Sequence, residues 1–369
     1  MNISEFDYDL PAERIAQRPL ADRDASRMLV LGRATGSFAD HSFRELETLL
    51  RGDELIVVNN ARVLPARLWG RRKGLRAQRI GKNSPIRYEI LTTPVEVLLL
   101  RALSADEWEA LVRPGRKIQV GETIVFGEGE LEAKVLARGG YGHRRLKFSG
   151  ASDLVQAIER LGHIPLPPYI KRGDEPLDCE RYQTVFAKQG AAVAAPTAGL
   201  HFTPSILSRL RERGVEIQET TLDVGLGTFE PIRTECIEEH HIHAESYEIP
   251  ETTAAAVARA HGEHRPILAI GTTVVRALED AAEKFSTRAT NIRQQGPVLS
   301  GRFEAEIFIL PGKPFRVVTE LLTNFHLPRS SLLALVAAFA GRENVLRAYR
   351  HAVESNYRFY SYGDCMWIR

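Results

Sequence analysis

Cysteine is scarce in this chain. Cys179, Cys236 and Cys365 are widely separated, odd in number and form no Cys-x-x-Cys pair. A disulfide framework and a zinc knuckle are thereby excluded, and reduced structural thiols remain. Long hydrophobic runs are missing too: the longest, residues 332–340, reaches less than half of the roughly 20 residues that a membrane span needs. The acidic start Met1-Asn2-Ile3-Ser4-Glu5-Phe6-Asp7 contains no signal-peptide core, so a cytoplasmic protein is expected. Nor is charge of one sign in excess, since a net charge of +2 does not by itself require a nucleic-acid partner. No Gly-x-Ser-x-Gly elbow and no P-loop occur, which removes the familiar hydrolase and nucleotidase routes. With no coiled-coil stripe, a monomer is expected.

What the chain does have is an ordinary globular composition, 44% hydrophobic and 26% charged, over 369 residues. That length calls for about two domains. Residues 55–60 form an apolar run closed by Asn59 and Asn60, as an interior strand would. From about residue 63 to residue 148 the texture changes. Short β-like runs at 95–100, 117–120, 123–126, 131–136 and 145–148 are punctuated by Gly121, Gly127, Gly129, Gly139, Gly140 and Gly142. Short strands, Gly-rich turns and no long helix point to a small antiparallel barrel or sandwich. A helix capped by Ser152 and stopped by Gly162 follows, then a proline-rich segment, 164–170, expected to lie extended over a surface. The expected architecture is an α/β main domain, residues 1–62 and 150–369, with a small antiparallel β-barrel domain inserted at 63–149.

The most informative segment is Pro196-Thr197-Ala198-Gly199-Leu200-His201-Phe202. A buried-strand pattern precedes it. Thr203 then caps a helix with Pro204 in its first turn, Gly214 ends that helix, and residues 215–222 read as a strand. In a parallel sheet such a connection lies at the carboxyl ends of strands, where α/β proteins bind ligands. Three further connections share that position. Gly271-Thr272-Thr273 follows the strand at 267–270 and opens a helix, offering amides and hydroxyls to a carboxylate or phosphate, with Arg276 one turn further on. Gly225, Gly227 and Thr228 also follow a strand, but the third glycine of a dinucleotide fingerprint is missing and Pro231 blocks the expected helix. Thr323, Asn324 and His326 form a polar tip before a helix that Ser330 or Ser331 starts and Gly341 closes.

Two clusters permit other readings. If extended, residues 240–245 put His241, His243 and Glu245 on one face as three metal ligands, the set a metal-dependent hydrolase needs. Glu235, Glu238 and Glu239 before them mark an exposed polar edge instead. Arg67, Arg71, Arg72, Lys73, Arg76, Arg79 and Lys82 crowd one stretch that holds no acidic residue. This pattern fits either a solvated loop or phosphate contact with a polyanion, as in a non-catalytic RNA-binding protein.

A set of ordered motifs runs the length of the chain. They are Phe6-Asp7-Tyr8-Asp9-Leu10-Pro11 with Ile15-Ala16-Gln17, Ser26-Arg27, Val63-Leu64-Pro65-Ala66-Arg67-Leu68, Pro165-Leu166-Pro167-Pro168-Tyr169-Ile170 and Tyr182-Gln183-Thr184-Val185-Phe186. Residues 194–202 and 225–229, His243-Ala244-Glu245, Gly271-Thr272-Thr273 with Arg276, residues 323–328 and residues 357–364 complete the set. In these motifs the chain resembles, from end to end, the S-adenosylmethionine:tRNA ribosyltransferase-isomerase family of queuosine biosynthesis. It departs from the family pattern at Asn60 and Ala61, where Asp and Thr are usual, and at Asp223, where His is usual.

The resemblance implies an α/β domain with an inserted β-barrel. It also implies an enzyme that transfers and isomerises the ribosyl group of S-adenosylmethionine onto 7-aminomethyl-7-deazaguanine at the tRNA wobble position. The products would be epoxyqueuosine in tRNA, adenine and methionine, with S-adenosylmethionine consumed as cosubstrate and no metal required. On that reading His201 and His326 carry the proton transfers, while Glu245 or Asp364 orients a histidine or faces the sulfonium. Thr197, Gly199, Gly225, Gly227, Thr228, Gly271, Thr272, Thr273, Arg276 and Asn324 form the cosubstrate site, the 271–273 turn and Arg276 taking the methionine carboxylate or an anticodon phosphate. Arg27, Arg67, Arg71 and Arg72 contact the RNA backbone, and Tyr169 or Phe229 stacks on a base.

Overall fold

The computed structural model describes residues 1–78, 87–225, 232, 234–288 and 296–369. Strands β1 (Arg27–Leu31), β2 (Phe38–Ser42) and β3 (Leu55–Asn59) come first, with the short helix α1 (Leu46–Leu49) between the last two. Strand β4 (Ala61–Val63) leads into β5 (Arg67–Gln78), β6 (Arg87–Ala102), β7 (Glu107–Arg113), β8 (Thr123–Phe126), β9 (Leu131–Arg138) and β10 (His143–Ser149). Next come α2 (Leu154–Leu161), α3 (Pro176–Arg181), β11 (Gln189–Ala192), α4 (Pro204–Glu212), β12 (Glu216–Leu222), β13 (Glu245–Ile249) and α5 (Glu251–Gly262). The chain ends with β14 (Ile267–Ile270), α6 (Thr272–Arg288), β15 (Gly301–Ala305), β16 (Glu320–Asn324), α7 (Ser331–Ala340), α8 (Arg342–Glu354) and β17 (Cys365–Ile368).

Nine of the strands form one mixed sheet in the order β15-β13-β12-β3-β14-β16-β17-β1-β2. Its centre, β12-β3-β14-β16, is parallel, and antiparallel pairs continue it at both sides. Every side chain of β3 and β14 is buried because both faces of the sheet are covered. Leu55, Val57, Ile267 and Ala269 point into one core, shared with α5 to α8, while Ile56, Val58, Leu268 and Ile270 point into another, shared with α4 and Phe43. Continuous apolar runs of this kind are what a two-sided parallel sheet demands.

Strands β5 to β10 pair in a closed ring, β10-β7-β6-β5-β8-β9, all antiparallel, and form a barrel. Alternate residues fill it, among them Val95, Val97 and Leu99 from β6 and Trp108, Ala110 and Val112 from β7. Helix α2 adds Ala157 and Ile158 to the same core. Two local expectations change. Residues 117–120 form no strand: Gly115–Lys117 is a 3-10 turn, and Ile118 is buried in the barrel. The buried Arg144 guanidinium holds the carbonyls of Gly115 and Ile118, which claims the backbone groups a strand would use. Helix α2 is capped by Asp153, whose carboxylate accepts from Gln156 N at 3.0 Å, rather than by Ser152.

Three cations of the basic stretch, Arg67, Arg72 and Lys73, are neutralised across the barrel. Arg67 pairs with Glu96 on β6, Arg72 with Glu122 after the 3-10 turn, and Lys73 with Glu132 on β9. Acidic partners are absent along the sequence and supplied by neighbouring strands. Arg71 stays exposed, while Arg79 and Lys82 and the side chain of Arg76 lie outside the described residues. Among the described residues no helix is long and apolar enough to cross a membrane.

One buried side chain ties the sheet centre together. Asn59 Oδ1 accepts from Ala61 N and Leu222 N, both at 3.0 Å, while Nδ2 donates to Leu222 O at 3.0 Å and Thr273 Oγ1 at 3.4 Å. Removing it leaves buried amides and a carbonyl unsatisfied, each costing about 1–3 kcal/mol. Asn59→Ala should therefore destabilise the protein by about 2–4 kcal/mol in urea unfolding. A loss below about 0.5 kcal/mol, the size of an exposed-surface change, would contradict this assignment.

Candidate active site

The carboxyl ends of the parallel strands open into a cleft of about 690 Å³, counted with its mouth. Four connections build it. Residues 194–198 form one wall, Val224 after β12 a second, the turn Gly271-Thr272-Thr273 after β14 a third, and Thr323 to Leu327 after β16 the fourth. Tyr169, Tyr360 and Ser361 close the remaining side.

Each wall has a local cause. Gly271 sits at φ +94°, a conformation that disfavours a side chain, and lets β14 turn at once into α6. The first amides of α6 have no intrahelical partner, so the turn offers donors and the positive end of a 17-residue helix to the cleft. Thr197–His201 is a 3-10 turn rather than an open loop, and Thr203 caps α4 through Ile206 N at 3.2 Å. Tyr169 and Tyr360 stack with ring centroids 4.4 Å apart, and Tyr169 Oη lies 2.6 Å from Ser361 Oγ.

His326 lines the cleft, yet only 8% of it is exposed. Its Nε2 meets Thr323 Oγ1 at 2.7 Å, and among the described residues its Nδ1 has no hydrogen-bond partner. Burial pushes its pKa down to about 3, so the imidazole is neutral. Two tyrosines fix the backbone beneath it: Tyr8 Oη donates to His326 O at 2.5 Å, and His326 N donates to Tyr349 Oη at 3.1 Å.

His201 lies behind the cleft wall and is not among the lining residues. Its ring packs on Phe43 at 5.3 Å between centroids, with Nδ1 2.6 Å from Ser26 Oγ and Nε2 3.3 Å from Asn324 Nδ2. Burial, helped by Arg23 and Arg358, lowers its pKa to about 4. Since the amide of Asn324 donates, Nε2 accepts and the Nδ1 proton goes to Ser26. Asn324 Nδ2 also faces the carbonyls of Tyr360 and Asp364. That orientation leaves Oδ1 buried without a partner among the described residues.

The expected carboxylates are committed elsewhere. Glu245 pairs with Arg276 and accepts from Gly225 N at 3.0 Å, so these three expected site residues form one buried clamp rather than a free carboxylate and a free cation. Glu245 therefore meets a guanidinium, not His241 or His243. Among the described residues no group of three His, Cys, Asp or Glu side chains converges to hold a metal. Asp364 accepts from Arg27 N at 2.9 Å and Arg358 N at 2.8 Å, and burial raises its pKa against those bonds. It touches neither histidine.

Thr197, Thr272, Thr273 and Asn324 reach the cleft as expected residues of the set, together with Gly271. Gly199 does not: a Cβ there would lie 2.5 Å from the Phe186 ring, so it serves close packing. Gly227, Thr228 and Phe229 lie outside the described residues. Arg27 stacks over Tyr357 at 3.8 Å and donates to Ser355 O, and Arg67 donates to Leu166 O, leaving neither guanidinium free. Tyr169 belongs to the cleft wall. The departures are also partnered: Asn60 accepts from Thr221 Oγ1 at 2.7 Å and donates to Glu219 at 3.0 Å, and Asp223 N bonds Ser246 O. Sequence reasoning missed Tyr8, Tyr349 and Tyr360 as site residues. Tyr8 and Tyr360 lie inside the ordered motifs, but tyrosines spaced hundreds of residues apart carry no local signal of convergence.

The queuosine biosynthesis protein family matches residues 3–368. Two curated relatives share the whole length. The S-adenosylmethionine:tRNA ribosyltransferase-isomerase of Solibacter usitatus is 54% identical over 370 residues and that of Moorella thermoacetica 47% over 369, each with 100% of both chains covered. A crystal structure of the S-adenosylmethionine tRNA ribosyltransferase from Thermotoga maritima superposes with a TM-score of 0.51 at 35% identity, covering 99% of this chain and 100% of that one. With a family match from end to end and relatives near half identity, the chain belongs to the queuosine biosynthesis protein family.

Proposed function

We propose that this chain is an S-adenosylmethionine:tRNA ribosyltransferase-isomerase that acts in the cleft at the carboxyl edge of its parallel strands. Its substrates would be S-adenosylmethionine and tRNA carrying 7-aminomethyl-7-deazaguanine at the wobble position, and its products epoxyqueuosine-tRNA, adenine and methionine. One observation carries the reading: the helix terminus at 271–273, the neutral His326 and the Tyr169–Tyr360 stack line one cleft in a chain that matches the family over its length.

The sulfonium acidifies the adjacent ribose carbon, so the reaction starts with proton removal. His326 supplies the lone pair of Nδ1 if its Nε2–H donates to Thr323 Oγ1. The α6 terminus, with Thr272 and Thr273, takes the methionine carboxylate. Asn324 Oδ1 offers an acceptor to a substrate N–H, and the tyrosine pair offers a π-face to the purine or the sulfonium. His201 acts as a positioning residue, holding the Asn324 amide in its donor-to-carbonyl orientation. On this reading the chemistry belongs to a main domain, residues 1–62 and 150–369, into which a barrel domain, residues 63–149, is inserted.

Incubation with S-adenosylmethionine and precursor tRNA should add the ribosyl-derived mass to the wobble nucleoside and release adenine; no mass gain removes the reading. His326→Ala should lower single-turnover transfer by about 10²-fold or more, the usual size of a lost general base, with native circular dichroism retained. Transfer at the wild-type rate would take His326 out of the mechanism. The buried imidazoles also set an acid limit. Both pKa values, about 4 for His201 and about 3 for His326, lie below the roughly 6.5 of an unfolded chain. The unfolded state then binds more protons, so this stability is complete above about pH 6.5 and is lost as pH falls toward 4 and 3. Replacing both histidines with Gln should flatten the pH dependence of the unfolding free energy between pH 6.5 and 4, and an unaltered slope would show that neither residue titrates there.

A further inference from the structure

The barrel carries a second surface, apart from the cleft. Where β7 ends, Arg113 is followed by the 3-10 turn that bears Arg116 and Lys117, and where β9 ends stands Arg138. All four are exposed, and among the described residues none makes an ion pair. The carboxylate opposite Arg113 in register, Glu96, is already held by Arg67 at 3.2 Å. Between these cations the turn Gly139-Gly140-Tyr141-Gly142 projects a tyrosine that is 97% exposed, at φ +51°. An L residue with a large ring is disfavoured in that conformation, and among the described residues nothing uses the ring.

The surface is also braced. The two turns touch, since a Cβ on Gly115 would lie 3.1 Å from Gly142 Cα. Arg144, only 3% exposed, sits beneath them and donates to the carbonyls of Gly115, Ile118 and His143. The exposed cations thus stand on a platform rather than on a loose loop. One strand further, Trp69 is paired with Glu96 in register and is 50% exposed, so a second aromatic face adjoins the first cluster.

Unpaired cations around presented aromatic rings match the chemistry of a nucleic-acid strand: phosphates take the guanidinium and ammonium groups, and unstacked bases take the ring. We propose that this end of the barrel docks an RNA strand, with Arg113, Arg116, Lys117 and Arg138 on phosphates and Tyr141 stacked on an unpaired base. The inference rests on the reading of the chain as a tRNA-modifying enzyme, and it places RNA contact on a surface different from the β5 stretch, where Arg67, Arg72 and Lys73 are paired.

The test uses the full-length protein and precursor tRNA, with affinity measured by fluorescence anisotropy across a potassium chloride series. The combined variant Arg113→Ala, Arg116→Ala, Lys117→Ala and Arg138→Ala should bind at least about tenfold more weakly near 0.1 M salt, with the log–log salt slope shallower by about 3, from roughly 0.7–0.9 per lost phosphate contact. Tyr141→Gly, which keeps the left-handed backbone, should cost roughly tenfold in affinity with the slope unchanged. Both variants should show a raised KM for tRNA and an unaltered KM for S-adenosylmethionine. Wild-type affinity and slope in the combined variant would overturn the proposal, as would reduced binding to anionic lipid vesicles with tRNA binding intact. A wild-type chain that binds tRNA with the expected slope but forms no modified nucleoside counts against the proposed reaction, while the docking surface stands.

Discussion

The carboxamide of Asn59 is the constraint on which the rest of the site depends. It stands at the carboxyl end of the central strand, where parallel strands stop pairing and their last amides need new partners. By serving Ala61, Leu222 and Thr273 together, it fixes how far β12 and the start of α6 diverge from β3. The mouth of the cleft is that divergence. A hydroxyl or a carboxylate at this position lacks the combination of two accepted and two donated bonds that the geometry asks for.

Around this anchor most polar groups of the cleft are buried and pre-oriented. His326 is held by its backbone from two tyrosines and by its ring from Thr323, so little reorganisation remains for a reaction to require. The Glu245–Arg276 pair keeps its two charges inside the wall and lends its second oxygen to Gly225, which steadies the connection after β12. Charge is spent on shape here, and the cleft itself presents neutral donors and acceptors with one helix terminus.

Much of this was legible in the residues. Apolar runs ending in Asn, Gly-Thr or Thr-Asn marked strand ends, Thr203, Ser330 and Gly341 marked helix ends, and three of the four connections so identified bring expected residues to one cleft, while the one after β12 reaches it through Val224. What stayed hidden was partnership across distance. Nothing near Arg276 in the sequence announces Glu245, and nothing along β5 announces Glu96, Glu122 and Glu132, because strand pairing brings them together from tens of residues away. The same limit holds for His201: its position marks a connection near a ligand site, but which side of the wall its ring takes is set by Phe43, Ser26 and Asn324.

The order of the sheet has a consequence for synthesis of the protein. Strand β1 is parallel to β17, which is made long after it, and β17 in turn joins β1 to β16. Until Cys365–Ile368 emerges, β1 and β2 form a detached ribbon, and β16 presents an unpaired edge beside the cleft. Tyr8 likewise reaches across 318 positions to the carbonyl of His326. A nascent chain that has already made every cleft-lining residue is therefore still an open sheet, and the loss of its final four-residue strand would leave two exposed edges ready to pair with another copy.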